Sequence, residues 1–372
     1  MKQNITTALL GLDLQELTRI VEEQGQPSYR AGQLFTALYG DRVQATEQIL
    51  TLPKLLRSSL VTQGMEVGLP EIQKKFVSVD GTVRYLIRLS DDETVETVWM
   101  PEGDDGEAGD GSEAGAELVR GPRAWNRATI CASSQVGCAV NCQFCLTALL
   151  GVKRNLTAGE IVGEVIAVLR DQKVSPPEDR VNLVFMGMGE PFLNFENFMK
   201  SVRLLVEGVG IPEARMTVST AGVVPRIYDF GDEPVRPKLA ISLNAPNDEL
   251  RTRLMPINKK WNLEKLITAA RDFPLRPREK LTFEYVLLRG VNDSSQHSRE
   301  LLELIRGMRA KLNLIALNSG PGIDFQTPEE EAVLEFQKTL VAGGVPAFIR
   351  RPRGRDIFAA CGQLKRTAEL IT

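Results

Sequence analysis

From residue 128 onward the chain alternates strand-like and helix-like segments, and this alternation constrains the fold more than any other feature. The apolar runs "ATICASS" (128–134), "NLVFMG" (182–187), "MTVST" (216–220), "LAISLN" (239–244), "LTFEYVLL" (281–288) and "LNLIALN" (312–318) read as six strands. Helical periodicity marks "TAGEIVGEVIAVLRDQ", "FENFMKSVRLLVEG", "NLEKLITAARDF" and "SRELLELIRGM" between them. Thr157 and Glu160 form the signature of a capping box at the start of the first. Six β/α units in series imply an α/β fold with a parallel sheet and crossover helices, either an open sheet or a barrel. In a barrel, chemistry gathers at the C-terminal ends of the strands. Polar residues recur there: Glu190 after the second strand, Ser219 in the third, Ser242 and Asn244 in the fourth, and Asn318 after the sixth. Each alone is an ordinary turn residue; their recurrence points to a site.

The first part of the chain follows another pattern. Residues 1–75 read as a small helical domain, with "LDLQELTRIVEEQG" and "YRAGQLFTALYG" apolar at helical spacing. The segment "KFVSVDGTVRYLIRLSDDETVETVWMP" alternates apolar and polar residues around two turn signals, which predicts a hairpin and a further strand. Residues 76–127 are therefore expected to form a β-hairpin and linker, and 128–372 the core. Within the linker, residues 103–118 are Gly-rich and acidic with almost nothing to bury, so a disordered insertion is expected.

Four of the five cysteines fall within "CASSQVGCAVNCQFC" (131–145), and the fifth is Cys361. The N-terminus lacks a sustained apolar run and no stretch is long enough to span a membrane, so a cytoplasmic protein with reduced thiols is expected. There, clustered cysteines bind metal or do redox chemistry. Cys138, Cys142 and Cys145 follow a C-x3-C-x2-C spacing, which suits a [4Fe–4S] cluster with one iron lacking a protein ligand. A zinc site recruiting Cys131 or Cys361 competes with this, although only one C-x2-C knuckle is present. Redox disulfides within the loop are the other alternative.

Charge is local. The formal net charge is −3, yet "IRRPRGRD" (349–356) gathers Arg350, Arg351, Arg353 and Arg355 just before Cys361, a placement suited to phosphate contact. "ELRTRLMPINKKW" (249–261) is a second basic segment, read equally well as solvated surface. Other chemistries find no support. His297, the only histidine, sits at a helix start as a surface residue, and no G-x4-G-K-[ST] phosphate loop occurs.

The cysteine loop, together with "FMGMGEPFLN", "VSTAGVVP", "LAISLNAPNDELR", "FEYVLLRGVND" and "AACGQL", resembles the RlmN family of RNA (adenine-C2)-methyltransferases, within the radical S-adenosylmethionine (SAM) enzymes. The likeness spans nearly the whole chain except the acidic insertion. It implies a partial (β/α)6 radical SAM barrel with a helical accessory domain that binds RNA, a [4Fe–4S] cluster on Cys138, Cys142 and Cys145, and SAM. The implied SAM contacts are Gly189, Glu190, Ser219, Ser242, Leu243, Asn244 and Asn318. Asn244 stands where many relatives have His, and "LNSG" replaces a common Trp-Asn-Pro around Asn318. Cys361 matches the methyl carrier, Cys131 the thiol that resolves the protein–RNA link through a disulfide, and Glu96 the acceptor of the C2 proton. The implied substrates are adenosine 2503 of 23S rRNA, met before the ribosome is fully assembled, and adenosine 37 of tRNAs. A flavodoxin- or ferredoxin-type reductant and a monomer are also implied. A Cfr-like enzyme acting at adenine C8 is the nearest alternative, and "MGMGEPFLN", with its proline, favours C2. A non-catalytic iron–sulfur module that binds RNA or transfers electrons is the alternative from another class. Retention of Glu96, Cys131 and Cys361 opposes it.

Overall fold

The computed structural model describes residues 7–101, 107–108 and 127–364. The N-terminal helices are α1 (Leu14–Glu23), α2 (Tyr29–Phe35) and α3 (Lys54–Thr62). A capping box starts α1: Asp13 accepts from the Glu16 amide, and the Glu16 carboxylate accepts from the Asp13 amide. Two short parallel strands, β1 (Thr7–Ala8) and β2 (Met65–Glu66), bring the ends of this lobe together. The lobe seats closely on the core. A Cβ on Gly11 would lie 2.5 Å from the Gly159 amide nitrogen, and one on Gly159 would lie 2.1 Å from the Leu10 carbonyl oxygen. The Tyr39 hydroxyl accepts from the Gly11 amide at 2.9 Å and donates to the Leu12 carbonyl at 2.7 Å.

The hairpin expected from the sequence is present as β3 (Glu71–Val77), β4 (Val83–Arg88) and β5 (Thr94–Pro101), and β3 begins inside the segment expected to be helical. These antiparallel strands are continuous with the main sheet, because β5 pairs antiparallel with β7 (Ala128–Cys131). From β7 the sheet runs in parallel through β10 (Val181–Phe185), β11 (Met216–Thr220), β12 (Lys238–Ser242), β13 (Leu281–Leu287), β14 (Ala310–Ala316) and β15 (Ala347–Arg350). All six expected strands appear. The parallel series has a seventh, β15, which was not foreseen; its four residues are too few for alternation to signal a strand, and the last two open the arginine segment read for phosphate contact. The expected acidic insertion lies outside the described residues except for β6 (Glu107–Ala108), whose backbone pairs with Ile349 and Arg350 of β15.

Helices α4 (Ala158–Asp171), α5 (Phe195–Leu204), α6 (Val224–Asp232), α7 (Asp248–Leu254), α8 (Leu263–Asp272), α9 (Ser295–Ile305) and α10 (Glu330–Ala342) complete the β/α units. The expected capping box of Thr157 and Glu160 starts α4, and His297 serves in another with Ser294 at the start of α9. Helices α6, α7 and α10 were not foreseen. None of the described helices is long and apolar enough to cross a membrane.

The sheet curls. Met100 of β5, Thr129 of β7 and Arg350 of β15 line one cavity, although they lie at opposite sides of the parallel series. A strap after β15 bridges the gap where a barrel ladder would otherwise continue. Arg353 donates to the Pro101 carbonyl at 2.9 Å, and the Gly354 amide donates to the Asp80 carboxylate at 3.0 Å. The Asp356 carboxylate accepts from the Ser78 hydroxyl at 2.5 Å. This strap carries Cys361.

Candidate active site

The three-cysteine loop hangs between β8 (Gln135–Gly137) and β9 (Val152–Asn155), which pair antiparallel. Its entry needs a glycine: Gly137 has φ +84°, and a Cβ there would sit 1.8 Å from the Gly151 carbonyl oxygen. The Cys138 amide donates to that same oxygen at 2.9 Å, and the Cys145 amide donates to the Cys142 carbonyl at 3.1 Å. Two further bonds fix the loop from outside. The Gln143 amide donates to the Leu254 carbonyl at the C-terminal end of α7 at 2.9 Å, and the Leu146 amide donates to the Gly362 carbonyl of the strap at 2.8 Å.

Cys138, Cys142 and Cys145 line a cavity of about 160 Å³ together with Gly189, Glu190, Ser219, Ser242, Asn244, Asn318 and Cys361. The sequence-predicted cofactor residues are thus brought together, with one exception. Leu243 is fully buried and its side chain does not line the cavity; only its backbone is engaged, donating to the Glu284 carbonyl at 2.9 Å.

Each remaining polar group has an identifiable constraint. Gly189 adopts φ +103°, where a Cβ would meet the Gln135 backbone at 2.6 Å. Glu190 is buried and its carboxylate accepts from the amides of Phe192 at 3.0 Å and Ala221 at 2.7 Å. Burial lifts its carboxyl to about 7, partly offset by those amide bonds. Asn244 sits at φ +59° with its carbonyl accepting from the Val286 amide at 2.8 Å. The Asn318 carbonyl oxygen Oδ1 is buried without a hydrogen-bond partner, and its Nδ2 makes only a long 3.4 Å contact to the Cys361 carbonyl. An orphaned buried acceptor on the cavity wall fits a polar ligand there.

The thiols also fit a bound cationic centre. Burial pushes Cys138 up to about 12 and raises Cys142 and Cys145. Thiolates at these positions therefore require positive charge supplied by a ligand. Cys138, Cys142 and Cys145 could hold a [4Fe–4S] cluster, with the cavity open to its remaining iron. Among the described residues, no group of three or more His, Cys, Asp or Glu side chains is set to hold a single metal ion.

A second cavity of about 180 Å³ adjoins the first and shares Cys145, Glu284, Asn318 and Cys361 with it. Cys131, Arg350, Arg351 and Arg353 complete its functional lining. The two lone cysteines therefore face one space. Burial raises Cys131 far above the ordinary thiol range; Cys361 keeps exposed surface, and the surrounding protein and then the Glu284 carboxylate bring it up to about 11. Both are free thiols, so the disulfide implied by the resemblance is not formed.

Glu96 is not brought to either cavity. Its inward side chain on β5 is fully buried in an ion pair with Arg84, and its carbonyl accepts from the Ser133 hydroxyl at 2.7 Å. The basic segments need correction as well. Arg353 is committed to the Pro101 carbonyl, which leaves Arg351 and Arg355 as the exposed arginines of the first. Arg251 of the second is fully buried. Sequence reasoning also missed Glu284, which lines both cavities and accepts from Ser219 at 2.5 Å and Ser242 at 3.4 Å. The available signal was an acidic residue inside the otherwise apolar strand "LTFEYVLL".

Comparison with known proteins agrees with this architecture. Residues 133–302 match the family model of the radical SAM superfamily. A probable dual-specificity RNA methyltransferase RlmN of Koribacter versatilis is 63% identical over 352 residues, covering 95% of this chain and 99% of the relative. The dual-specificity RNA methyltransferase RlmN 2 of Myxococcus xanthus is 41% identical, with 96% and 90% covered. The crystal structure of a radical SAM methyltransferase from Sphaerobacter thermophilus superposes with a TM-score of 0.85 at 40% identity, covering 97% of this chain and all of that one. Identity at this level across both lengths leaves one assignment: the chain belongs to the RlmN family of radical SAM dual-specificity RNA methyltransferases.

Proposed function

We propose that the protein methylates C2 of adenosine, at position 2503 of 23S rRNA and position 37 of tRNAs, through a methyl group carried on Cys361. The observation that carries this reading is the pair of adjoining cavities. One holds the three-cysteine loop, the other holds Cys131, and Cys361 lines both.

Adenine C2 lies between two ring nitrogens and has no lone pair, so it does not attack a sulfonium methyl as an amine would. A [4Fe–4S] cluster on Cys138, Cys142 and Cys145, with SAM bound, supplies one-electron reductive cleavage of SAM, and a flavodoxin- or ferredoxin-type carrier provides the electron. Gly189, Glu190, Ser219, Ser242, Asn244 and Asn318 line the space for SAM, whereas both backbone groups of Leu243 are taken by Glu284 and Arg251. The sulfur of Cys361 first takes a methyl group from one SAM by displacement. That methyl then gives a hydrogen atom to the 5′-deoxyadenosyl radical released, with methionine, from a second SAM, and its carbon bonds to C2 and links Cys361 to the RNA. Restoring the ring takes loss of the C2 proton, for which Glu96 is the acceptor implied by the resemblance, and of one electron, which an oxidised cluster held by Cys138, Cys142 and Cys145 would take back. The thiolate of Cys131 then attacks the sulfur of Cys361. An S–S bond forms, the S–CH2 bond breaks, and protonation of the released carbon leaves a methyl group on C2. The exposed Arg351 and Arg355 and the N-terminal helical lobe serve RNA binding, and the target base must be exposed before chemistry.

The test is anaerobic reconstitution with iron and sulfide, incubation with SAM, reductant and unmodified rRNA or tRNA, and mass spectrometry of the nucleosides. 2-Methyladenosine supports the reading. 8-Methyladenosine, or no methylated adenosine from a loaded enzyme, contradicts it.

A further inference from the structure

Arg251, in α7, is 0% exposed. Its guanidinium is held entirely by neutral acceptors. Nε donates to the Leu243 carbonyl at 3.1 Å, Nη1 to Asn258 Oδ1 at 2.9 Å, and Nη2 to the carbonyls of Ala221 at 2.7 Å and Ser242 at 3.2 Å. Three of these carbonyls close the ends of β11 and β12, the strands that carry Ser219 and Ser242. The arginine therefore staples the wall of the first cavity. Neutral acceptors satisfy its N–H groups but leave its charge uncompensated, and a buried charge is costly unless an opposite one lies near. A guanidinium does not escape this cost by losing its proton.

A centre bound by the thiolates of the cysteine loop would supply that opposite charge. The C-terminal end of α7 packs directly beneath that loop, with the Gln143 amide donating to the Leu254 carbonyl at 2.9 Å. Leu254 and Met255 share one apolar cluster with Val140 and Phe144, and Cys142 packs against it. Burial depresses the Arg251 guanidinium to about 10, and a Cys142 thiolate and the Asp248 carboxylate each offset that. The Asp248 carboxylate is meanwhile occupied by Asn258 Nδ2 and the Leu263 amide, both at 2.8 Å.

We infer that Arg251 is a positioning residue that supplies the counter-charge of the three-cysteine centre and raises its reduction potential. This rests on the cluster reading above. A centre ligated by three thiolates becomes more negative with each added electron. A fixed cation in a buried site, little screened by solvent, stabilises the reduced form more than the oxidised one. Arg251→Gln removes the charge and Arg251→Lys keeps it while losing most of the carbonyl bonds. Asp248→Asn removes the competing anion.

The experiment is a potentiometric titration of the full chain, reconstituted anaerobically, with the reduced cluster read by electron paramagnetic resonance. At the wild-type midpoint, Arg251→Gln should lower the ratio of reduced to oxidised cluster about tenfold, equivalent to about 59 mV for one electron. Arg251→Lys should remain within about twofold of wild type, and Asp248→Asn should shift the ratio the opposite way. An unchanged ratio in Arg251→Gln, or an equal fall in the Lys and Gln variants, overturns the inference. If Arg251→Gln fails to fold, an unmoved potential in Asp248→Asn overturns it instead. A wild-type chain that takes up no iron overturns the cluster reading itself, whereas iron with an unmoved potential overturns only the role of Arg251.

Discussion

Arg84 and Glu96 form an ion pair in which neither side chain retains exposed surface. The pair lies on the inward face of the hairpin extension. Glu96 is two residues from Val98, which pairs directly with Cys131. The carboxylate is therefore near Cys131 in register, yet it is held by a cation and excluded from the cavity. Removing one member of a buried pair costs about 3–5 kcal/mol. Glu96→Gln should lower unfolding stability by that order in urea titrations, and adding Arg84→Met should recover part of the loss. The folded fraction of Glu96→Gln should accumulate RNA adduct. Normal methylation without adduct would make Glu96 a structural residue.

A second buried acid gives a pH signature. Glu164 of α4 accepts from the Ser133 amide at 2.8 Å and from the Thr97 hydroxyl, tying the helix to β5 and to the turn after β7. Burial raises its carboxyl well above 4.5, so the folded state holds a proton that the unfolded state releases. Its contribution to stability is complete below about 4.5 and declines as pH rises, by at most about 1.4 kcal/mol per unit, until the folded-state pKa is passed. Glu164→Gln imitates the protonated acid. The variant should gain stability relative to wild type between about pH 5 and about pH 8 in urea unfolding. A gap independent of pH would contradict this.

The cysteine loop was legible because its chemistry lies in local spacing, and the six expected core strands were legible because buried parallel strands are short apolar runs; the short antiparallel β8 and β9 flanking the loop were not. Residues whose role depends on what packs against them were not. Nothing local distinguishes Arg251 from Arg253 two positions later, yet the first is sealed beneath the cysteine loop and the second is exposed. Glu284 looked like one polar residue in a strand until the curl of the sheet placed it on both cavities. Leu243 matched the cofactor segment by position, but alternation along the chain turns its side chain into the core. The seventh strand went unread because it is four residues long and runs into the arginine segment read for phosphate contact.

The entry to the loop offers a direct structural test. Gly137→Ala adds a Cβ where the Gly151 carbonyl oxygen stands and forces an L residue into positive φ. The variant should fold but fail to organise the three thiols, and iron bound after anaerobic reconstitution should fall at least as far as in Cys142→Ala. Full iron content in Gly137→Ala would show that the β8–β9 closure does not hold the loop.

The account's central claim is that Cys361 carries the methyl group and Cys131 releases the product, and their shared cavity permits this exchange. The decisive measurement is denaturing gel electrophoresis of reconstituted Cys131→Ala and Cys361→Ala, with cluster content confirmed, after turnover with SAM, reductant and RNA. Carrier loss precedes bond formation and resolver loss follows it. Cys131→Ala should therefore accumulate a shifted band that ribonuclease collapses and that maps to Cys361, whereas Cys361→Ala should show none. Equal inactivity without adduct in both variants would contradict the account.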